Sequence, residues 1–320
     1  MSSGIVRSLL AIAALAPLAL TVGCQKREAA APEAATAAKP AEEPRMHDGT
    51  PRIVDAPDRV HIQYRLYGQG DLLVVLIHGW SCDSNYWAAQ LDDLKKRYTV
   101  MTVDLAGHGA SGANRKEWSM AAFGGDVAAS VNAAVMEQPR HTRVVLVGHS
   151  MGGPVAIEAA RLLGPLAAGV IGVDTYQDVG TPQPSAAKRE QRLQPFLADF
   201  IGTTRGFVTS SFFTANADPT LKRKIADDMS SAPPEVAIAS IRALGDWDGA
   251  TRMTGLSIPI VAINSDLRGV TDAARVQKIV PQFQLVTVSG LGHFLMMEDP
   301  ARFNPLLIEQ IDRMVAPAKT

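Results

Sequence analysis

Cysteine is scarce in this sequence, and neither sign of charge is in excess. The two cysteines, Cys24 and Cys82, are too few for a disulfide-rich scaffold. Because 31 Lys and Arg residues face 32 Asp and Glu residues, the basic excess on which nucleic-acid binding depends is missing. No group of His and Cys residues has metal-ligand spacing. We therefore expect a protein without disulfides, nucleic-acid partners or a metal ion.

The first 24 residues have the pattern of an export signal. Arg7 precedes an apolar stretch, Leu9–Val22, that is shorter than the roughly 20 residues of a membrane-spanning helix. Residues 20–24 read Leu-Thr-Val-Gly-Cys, which resembles the lipobox of bacterial lipoproteins, although Thr21 stands where an aliphatic residue is usual. We expect a signal peptide that ends in a lipidated Cys24. The alternative is an ordinary signal peptide cut in the Ala-rich stretch that follows.

Residues 25–46 are rich in Ala, Pro and Glu. Such a segment buries too little apolar area to offset the entropy lost on ordering, so we expect a disordered linker. The protein is then exported to the bacterial cell envelope, facing the periplasm or the exterior. Its contact with the membrane is expected only through the lipid on Cys24.

The rest of the chain alternates strand-like and helix-like stretches. With 47% apolar and 20% charged residues, its composition is ordinary for a packed core. Strands are predicted at Val60–Tyr67, Leu72–Ile77, Tyr98–Val103, Arg143–Val147, Ala168–Val173, Ile258–Ile263 and Gln284–Val288. Helices are predicted at Asn85–Lys96, Ala121–Met136, Gly152–Leu163, Asp272–Ile279 and Ala301–Val315. Buried strands separated by helices favour a mostly parallel sheet with helices on both faces, formed by residues 47–174 and 254–320.

Residues 175–253 break this alternation. The segment has no buried strand, and it contains several prolines and helix-like aromatic patches. We expect an insertion of short helices over one edge of the sheet. Its phenylalanines either line a substrate pocket or pack the insertion onto the sheet.

The strand at Arg143–Val147 leads into Gly-His-Ser-Met-Gly at residues 148–152, and a helical pattern follows at once. A nucleophile held out at a tight turn needs neighbours without Cβ atoms, so that the backbones on either side do not collide. The start of the following helix directs free N–H groups toward a developing oxyanion. This context predicts Ser150 as the nucleophile.

Two further turns complete the predicted chemistry. The first carries Gly79 and Trp80 after a buried strand, and the N–H groups of Trp80 and Met151 are the expected donors to a tetrahedral oxyanion. Cys82 lies near this turn, but no glycine elbow surrounds it, so we expect a buried filler rather than a nucleophile. The second turn, after the last strand, carries His293 on a glycine-containing loop that can reach Ser150, so His293 is the predicted base.

These motifs together resemble the α/β-hydrolase superfamily. The resemblance rests on the turn at His78-Gly79-Trp80, the turn over residues 104–109, the elbow at Ser150 and the loop over residues 292–300, and it covers about residues 52–315. It implies an eight-stranded, mostly parallel α/β-hydrolase sheet with helices on both faces and residues 175–253 as a helical cap. It also implies a structural role for Asp104 and His108, and chemistry that needs no cofactor.

The acid of the triad is open between three aspartates. Members of the superfamily commonly carry it after the strand that corresponds to Ile258–Ile263, but Arg268 falls at that position here. Asp266, two residues earlier, is the preferred acid. Asp174 is the alternative, because some members take their acid from the end of that earlier strand. Asp272 is the third candidate and fits better as an N-terminal helix residue.

A Ser-His-Asp triad predicts acyl transfer through an acyl-enzyme. We expect a serine hydrolase whose substrate is a small carboxylic ester or lactone. The superfamily's epoxide hydrolases and dehalogenases carry an aspartate where Ser150 stands, which argues against those activities. Cleavage of an amide or carbon–carbon bond, cofactor-free haloperoxidase chemistry and a non-catalytic, tethered binding role are the alternatives. The oligomeric state is left open.

Overall fold

The computed structural model describes residues 47–316. The predicted signal peptide, the predicted lipidation site at Cys24 and the predicted linker lie outside these residues. Within them, no helix is both long enough and apolar enough to cross a membrane.

One mixed sheet of eight strands organises this part of the chain. The strands are β1 His47–Asp55, β2 His61–Gly68, β3 Leu73–Ile77, β4 Thr99–Val103, β5 Val144–His149, β6 Ala167–Val173, β7 Ile260–Ser265 and β8 Phe283–Val288. Their order across the sheet is β1-β2-β4-β3-β5-β6-β7-β8. Strand β2 pairs antiparallel with β1 and β4, and all other pairs are parallel. The predicted eight-stranded, mostly parallel sheet is confirmed.

Strand β1 is the element that the sequence pattern did not predict. Gly49 and Pro51 interrupt its sequence, and both residues are ordinarily turn signals. A proline is tolerated here because β1 is the edge strand and pairs on one side only. The pairing with β2 is irregular between Asp48 and Pro51, where the ladder shifts.

The inner strands are buried throughout because helices cover both faces of the sheet. All residues of β3, β4 and β5 are buried, as expected for parallel strands packed on two sides. The flanking helices of this core are α1 Ala88–Leu94, α2 Met120–Glu137, α3 Gly152–Leu163, α8 Gly249–Met253, α9 Ala273–Gln277, α10 Leu295–Glu298 and α11 Pro300–Val315.

The predicted helical insertion is present between β6 and β7. It contains α4 Ala186–Ala198, α5 Phe200–Ser211, α6 Pro219–Ser230 and α7 Pro234–Asp246. We call these four helices and the segments that connect them the cap. Pro219 and Pro234 occupy first helical positions, where a proline favours the helix because no N–H is needed there. Of the cap phenylalanines, Phe207 is partly buried and the others are buried.

The parallel strands all end at the same edge of the sheet. The turns after β3, β5, β6, β7 and β8 therefore meet there, beneath the cap. Open α/β sheets bind ligands at this edge.

Candidate active site

Ser150 lies in a sharp turn between β5 and α3. Its φ is +51°, a left-handed conformation that a non-glycine residue adopts only where the surrounding structure imposes it. A Cβ on Gly148 would lie 2.0 Å from the carbonyl oxygen of Gly152, and one on Gly152 would lie 2.5 Å from that of Ile77. Both glycines are therefore required for the close packing that the sequence pattern predicted.

The loop after β3 approaches this turn closely. A Cβ on Gly79 would lie 3.3 Å from the Cβ of Ser150. The backbone N–H groups of Trp80 and Met151 donate no hydrogen bond to any residue in the range 47–316. Both N–H groups are thus free to donate to a bound group.

His78 holds the loop after β3 in place. Its Nε2 accepts a hydrogen bond from the N–H of Leu105 at 3.0 Å, so the proton is on Nδ1, which donates to the carbonyl of Gly79 at 2.8 Å. Burial lowers the pKa of His78, in keeping with this neutral form. The ring joins the loop after β3 to the turn after β4, which is a structural role.

His293 and Asp174 form a buried pair. The Nδ1 of His293 lies 2.5 Å from Oδ2 of Asp174, and the two residues are 4% and 3% exposed. The other carboxylate oxygen of Asp174 accepts from the N–H of Ser265 at 2.9 Å and from its hydroxyl at 3.0 Å. Burial opposes ionisation of Asp174, but the hydrogen bond and charge of His293 outweigh it, so the pKa is lowered.

The preference for Asp266 as the partner of His293 is wrong. Asp266 is solvent-accessible, and its carboxylate accepts from the backbone N–H of Gly290 at 3.1 Å. Asp272 accepts from the N–H of Arg275 at 3.0 Å and caps the N-terminus of α9. This is the helix-terminal position that the sequence also suggested for it. The acid beside the imidazole is therefore Asp174, which the sequence offered as second choice.

Strand order explains this correction. Strand β6 lies directly beside β5, and the N–H of Ser150 donates to the carbonyl of Val173 at 2.9 Å. The residue after Val173 is Asp174, with a φ of +47°. The end of β6 thus places Asp174 next to the turn that carries Ser150.

The cap contributes a ring that covers His293. The imidazole stacks on Phe212 with ring centroids 4.4 Å apart and planes inclined by 28°. The backbone N–H of His293 also donates to the carbonyl of Phe212 at 2.7 Å. The sequence identified Phe212 only as one of several cap aromatics, because nothing local to it shows that it meets His293.

His149 is a second buried imidazole near the site. Its Nε2 donates to the carbonyl of His293 at 2.9 Å, and the two rings lie 4.6 Å apart. Burial, followed by the charge of His293, lowers the pKa of His149 to about 3. It therefore supports the loop of His293 as a neutral group.

The other residues weighed from sequence occupy supporting positions. The carboxylate of Asp104 accepts from the N–H groups of Ser84 and Ala110, and burial lowers the pKa of His108 to about 3. Cys82 is buried, and its thiol donates to the carbonyl of Trp80 at 3.2 Å. Burial raises its pKa, which disfavours the thiolate that a nucleophile requires.

Among residues 47–316, the hydroxyl of Ser150 makes no hydrogen bond to the imidazole of His293. Hydrogen bonds between a nucleophile and its base commonly tighten when substrate binds. In the same residues, no three His, Cys, Asp or Glu side chains are grouped so that they could hold a metal ion.

Comparison with known proteins agrees with this architecture. The chain is 29% identical over 263 residues to an uncharacterized protein of Mycobacterium tuberculosis, covering 75% of each chain. It is 25% identical to a pimeloyl-[acyl-carrier protein] methyl ester esterase of Yersinia enterocolitica, covering 78% of this chain and 96% of the relative. A thermophilic esterase from Thermogutta terrifontis superposes with a TM-score of 0.71 at 24% identity, covering 83% and 100% of the two chains. The model of the alpha/beta hydrolase family matches residues 74–306, and the chain belongs to this family.

Proposed function

We propose that the protein is a serine hydrolase that cleaves a carboxylic ester or lactone with Ser150, His293 and Asp174. The observation that carries this proposal is the buried pair of His293 and Asp174 at the edge of the sheet where Ser150 is held in its left-handed turn. A serine hydroxyl becomes a useful nucleophile when an imidazole oriented by a carboxylate accepts its proton.

The contacts of the site assign each residue a role in the proposed reaction. Asp174 accepts from Nδ1 of His293, which leaves Nε2 as the base for the Ser150 proton. Ser150 attacks the carbonyl carbon, and the free N–H groups of Trp80 and Met151 stabilise the oxyanion. His293 then protonates the leaving alcohol. Water cleaves the acyl-enzyme by the reverse sequence.

Aromatic contacts join Trp80 to the cap. Trp80 meets Phe196 and Phe200 edge to face at 5.8 Å and 6.3 Å, and its indole N–H donates to the carbonyl of Ala237 at 2.7 Å. The loop after β3, which carries Trp80, is thereby tied to the cap. The relatives named as esterases support an ester as the proposed substrate class.

The test follows hydrolysis of 4-nitrophenyl esters from acetate to decanoate by wild type and Ser150→Ala. We expect Ser150→Ala to lower kcat by roughly three orders of magnitude or more. Mass spectrometry of the enzyme treated with a fluorophosphonate should find the adduct on Ser150 and none in the variant. Equal turnover by both proteins, or no turnover of any ester by the wild type, would refute the proposal.

We also propose that the protein is exported and lipidated on Cys24. This proposal rests on the sequence of residues 1–24 alone. Cells fed a labelled palmitate should incorporate it into the wild type and lose the label in Cys24→Ala. Persistence of the label would refute lipidation at this residue, and recovery of the protein in the cytoplasm would refute export.

A further inference from the structure

Arg268 lies in the turn that follows β7. It is the third residue of a β-turn that is closed by a hydrogen bond from the N–H of Gly269 to the carbonyl of Asp266 at 2.9 Å. The carboxylate of Asp266 in turn accepts from Gly290 on the loop that leads to His293. The backbone that carries Arg268 is thus fixed to the edge of the sheet that holds the site.

The side chain of Arg268 lies over the ring of Phe212, next to the candidate site. Its guanidinium carbon lies 5.2 Å from the ring centroid of Phe212, within the range of a cation–π contact. The same ring stacks on His293 at 4.4 Å. The cation is therefore one aromatic layer away from the imidazole.

This guanidinium has no acidic partner within residues 47–316 and donates no hydrogen bond to them. Other arginines in the region are engaged: Arg302 donates to the carbonyl of Ser289 at 2.8 Å, and Arg275 donates to the carbonyl of Val179 at 3.1 Å. The nearby carboxylates are also engaged, since Asp174 binds His293 and Asp266 binds Gly290. Arg268 is exposed and keeps its donors for a ligand.

We propose that Arg268 binds an ionised carboxylate on the substrate, so that the substrate class is an ester or lactone that carries a second carboxyl group. A guanidinium matches a carboxylate with two parallel hydrogen bonds. The apolar cap residues would contact the carbon chain between the two ends. This inference rests on the proposed ester hydrolysis and names the substrate class of the same site.

The test compares two series of 4-nitrophenyl esters. One series consists of the monoesters of succinic, glutaric and adipic acids, and the other of butanoate, pentanoate and hexanoate of matching length. The quantity measured is the ratio of kcat/KM for each acidic ester to that for its neutral counterpart. Wild type is compared with Arg268→Gln and Arg268→Lys, and with Arg302→Gln as the matched control.

We expect Arg268→Gln to lower this ratio about 10- to 100-fold, which is the size of a hydrogen-bonded charge contact. Arg268→Lys should restore part of it, because lysine keeps the charge but loses the paired geometry. Arg302→Gln should leave the ratio within about twofold, as for a surface charge that is already hydrogen-bonded. Added salt should also lower the wild-type ratio.

Two results would overturn the inference. An unchanged ratio in Arg268→Gln would show that no carboxylate binds there, and an equal loss on both series would show that Arg268 acts only by supporting Phe212. These outcomes are distinct from failure of the proposed function, in which the wild type would hydrolyse neither series.

Discussion

Two aspartates at the same edge of the sheet, Asp174 and Asp266, differ in their burial and in their hydrogen-bond partners. Asp174 is buried, receives two hydrogen bonds from Ser265 and touches the imidazole of His293. Asp266 is solvent-accessible and caps the N–H of Gly290. An acid that orients an imidazole must be held in place and shielded from water. The difference shows that the sheet supplies this environment at the end of β6 and not in the surface turn after β7.

The neighbourhood of Asp174 is fixed by a side chain of the adjacent strand. Asn264 accepts from the N–H of Thr175 at 3.1 Å and donates to its carbonyl at 2.9 Å. The left-handed backbone at Asp174 is thereby locked on its C-terminal side. The turn at Asp266 is held instead by its own backbone hydrogen bond and by Gly290.

The largest effect is expected from exchanging each aspartate for asparagine. Asp174→Asn should lower kcat for 4-nitrophenyl butanoate by about four orders of magnitude, because the amide would hold the wrong tautomer of His293. Asp266→Asn should lower it less than about tenfold, because only a loop contact is weakened. Thermal unfolding of both variants checks that the fold is retained. A greater loss in Asp266→Asn than in Asp174→Asn would reverse the assignment of the acid.

The sequence signals that predict Ser150 and His293 as functional residues are local. A buried strand, two glycines that cannot carry a Cβ and the start of a helix are all contained in residues 144–163. The partner of His293 depends instead on which strands are neighbours, and β6 comes beside β5 only through the long-range pairing of the sheet. Local spacing around Asp266 carries no such information.

A similar limit applies to the edge strand and the cap. Strand β1 was not predicted because its sequence contains turn residues. Its position in the sheet is set by its pairing with β2. The helical insertion was predictable from its composition, but the contact between Phe212 and His293 joins residues distant in sequence. The sequence therefore predicts most of the strands and helices, whereas contacts such as those of His293 with Asp174 and Phe212 arise from tertiary packing.

The second prediction concerns the cap side of the same imidazole. Phe212→Leu should lower kcat about three- to tenfold, because it removes an aromatic stack that is worth about 1 kcal/mol. Phe213→Leu is the matched control, since the ring of Phe213 stacks on Phe294 and not on His293. Both variants should lose stability in urea unfolding. Equal kcat values for the two variants would show that Phe212 does not position the imidazole.

A smaller effect is expected from the hydroxyl that supports the acid. Ser265→Ala removes the hydrogen bond from Oγ to Asp174 but keeps the one from the backbone N–H. Because the backbone N–H of Ser265 still donates to the same carboxylate oxygen, kcat should fall only about twofold to threefold. Ser289→Ala is the control near Asp266 and should change kcat less than about twofold. A larger loss of kcat in Ser289→Ala than in Ser265→Ala would contradict the role of Ser265 in holding Asp174.

The smallest effect is expected when the dependence of thermal stability on pH is compared between the wild type and the two aspartate variants. Folding lowers the pKa of Asp174, so the ionised carboxylate stabilises the folded protein above the unfolded pKa of about 4, and this contribution is lost as the pH falls through the folded pKa. The melting temperature of the wild type should therefore exceed that of Asp174→Asn at pH 7, and the gap should narrow below about pH 4. Asp266, whose pKa is lowered first by its hydrogen bond to Ser289, should give a smaller gap because it is exposed to solvent. Melting temperatures of both variants from pH 7 to pH 3 test this, and a gap for Asp174→Asn that widens on acidification would show that the buried carboxyl is not ionised.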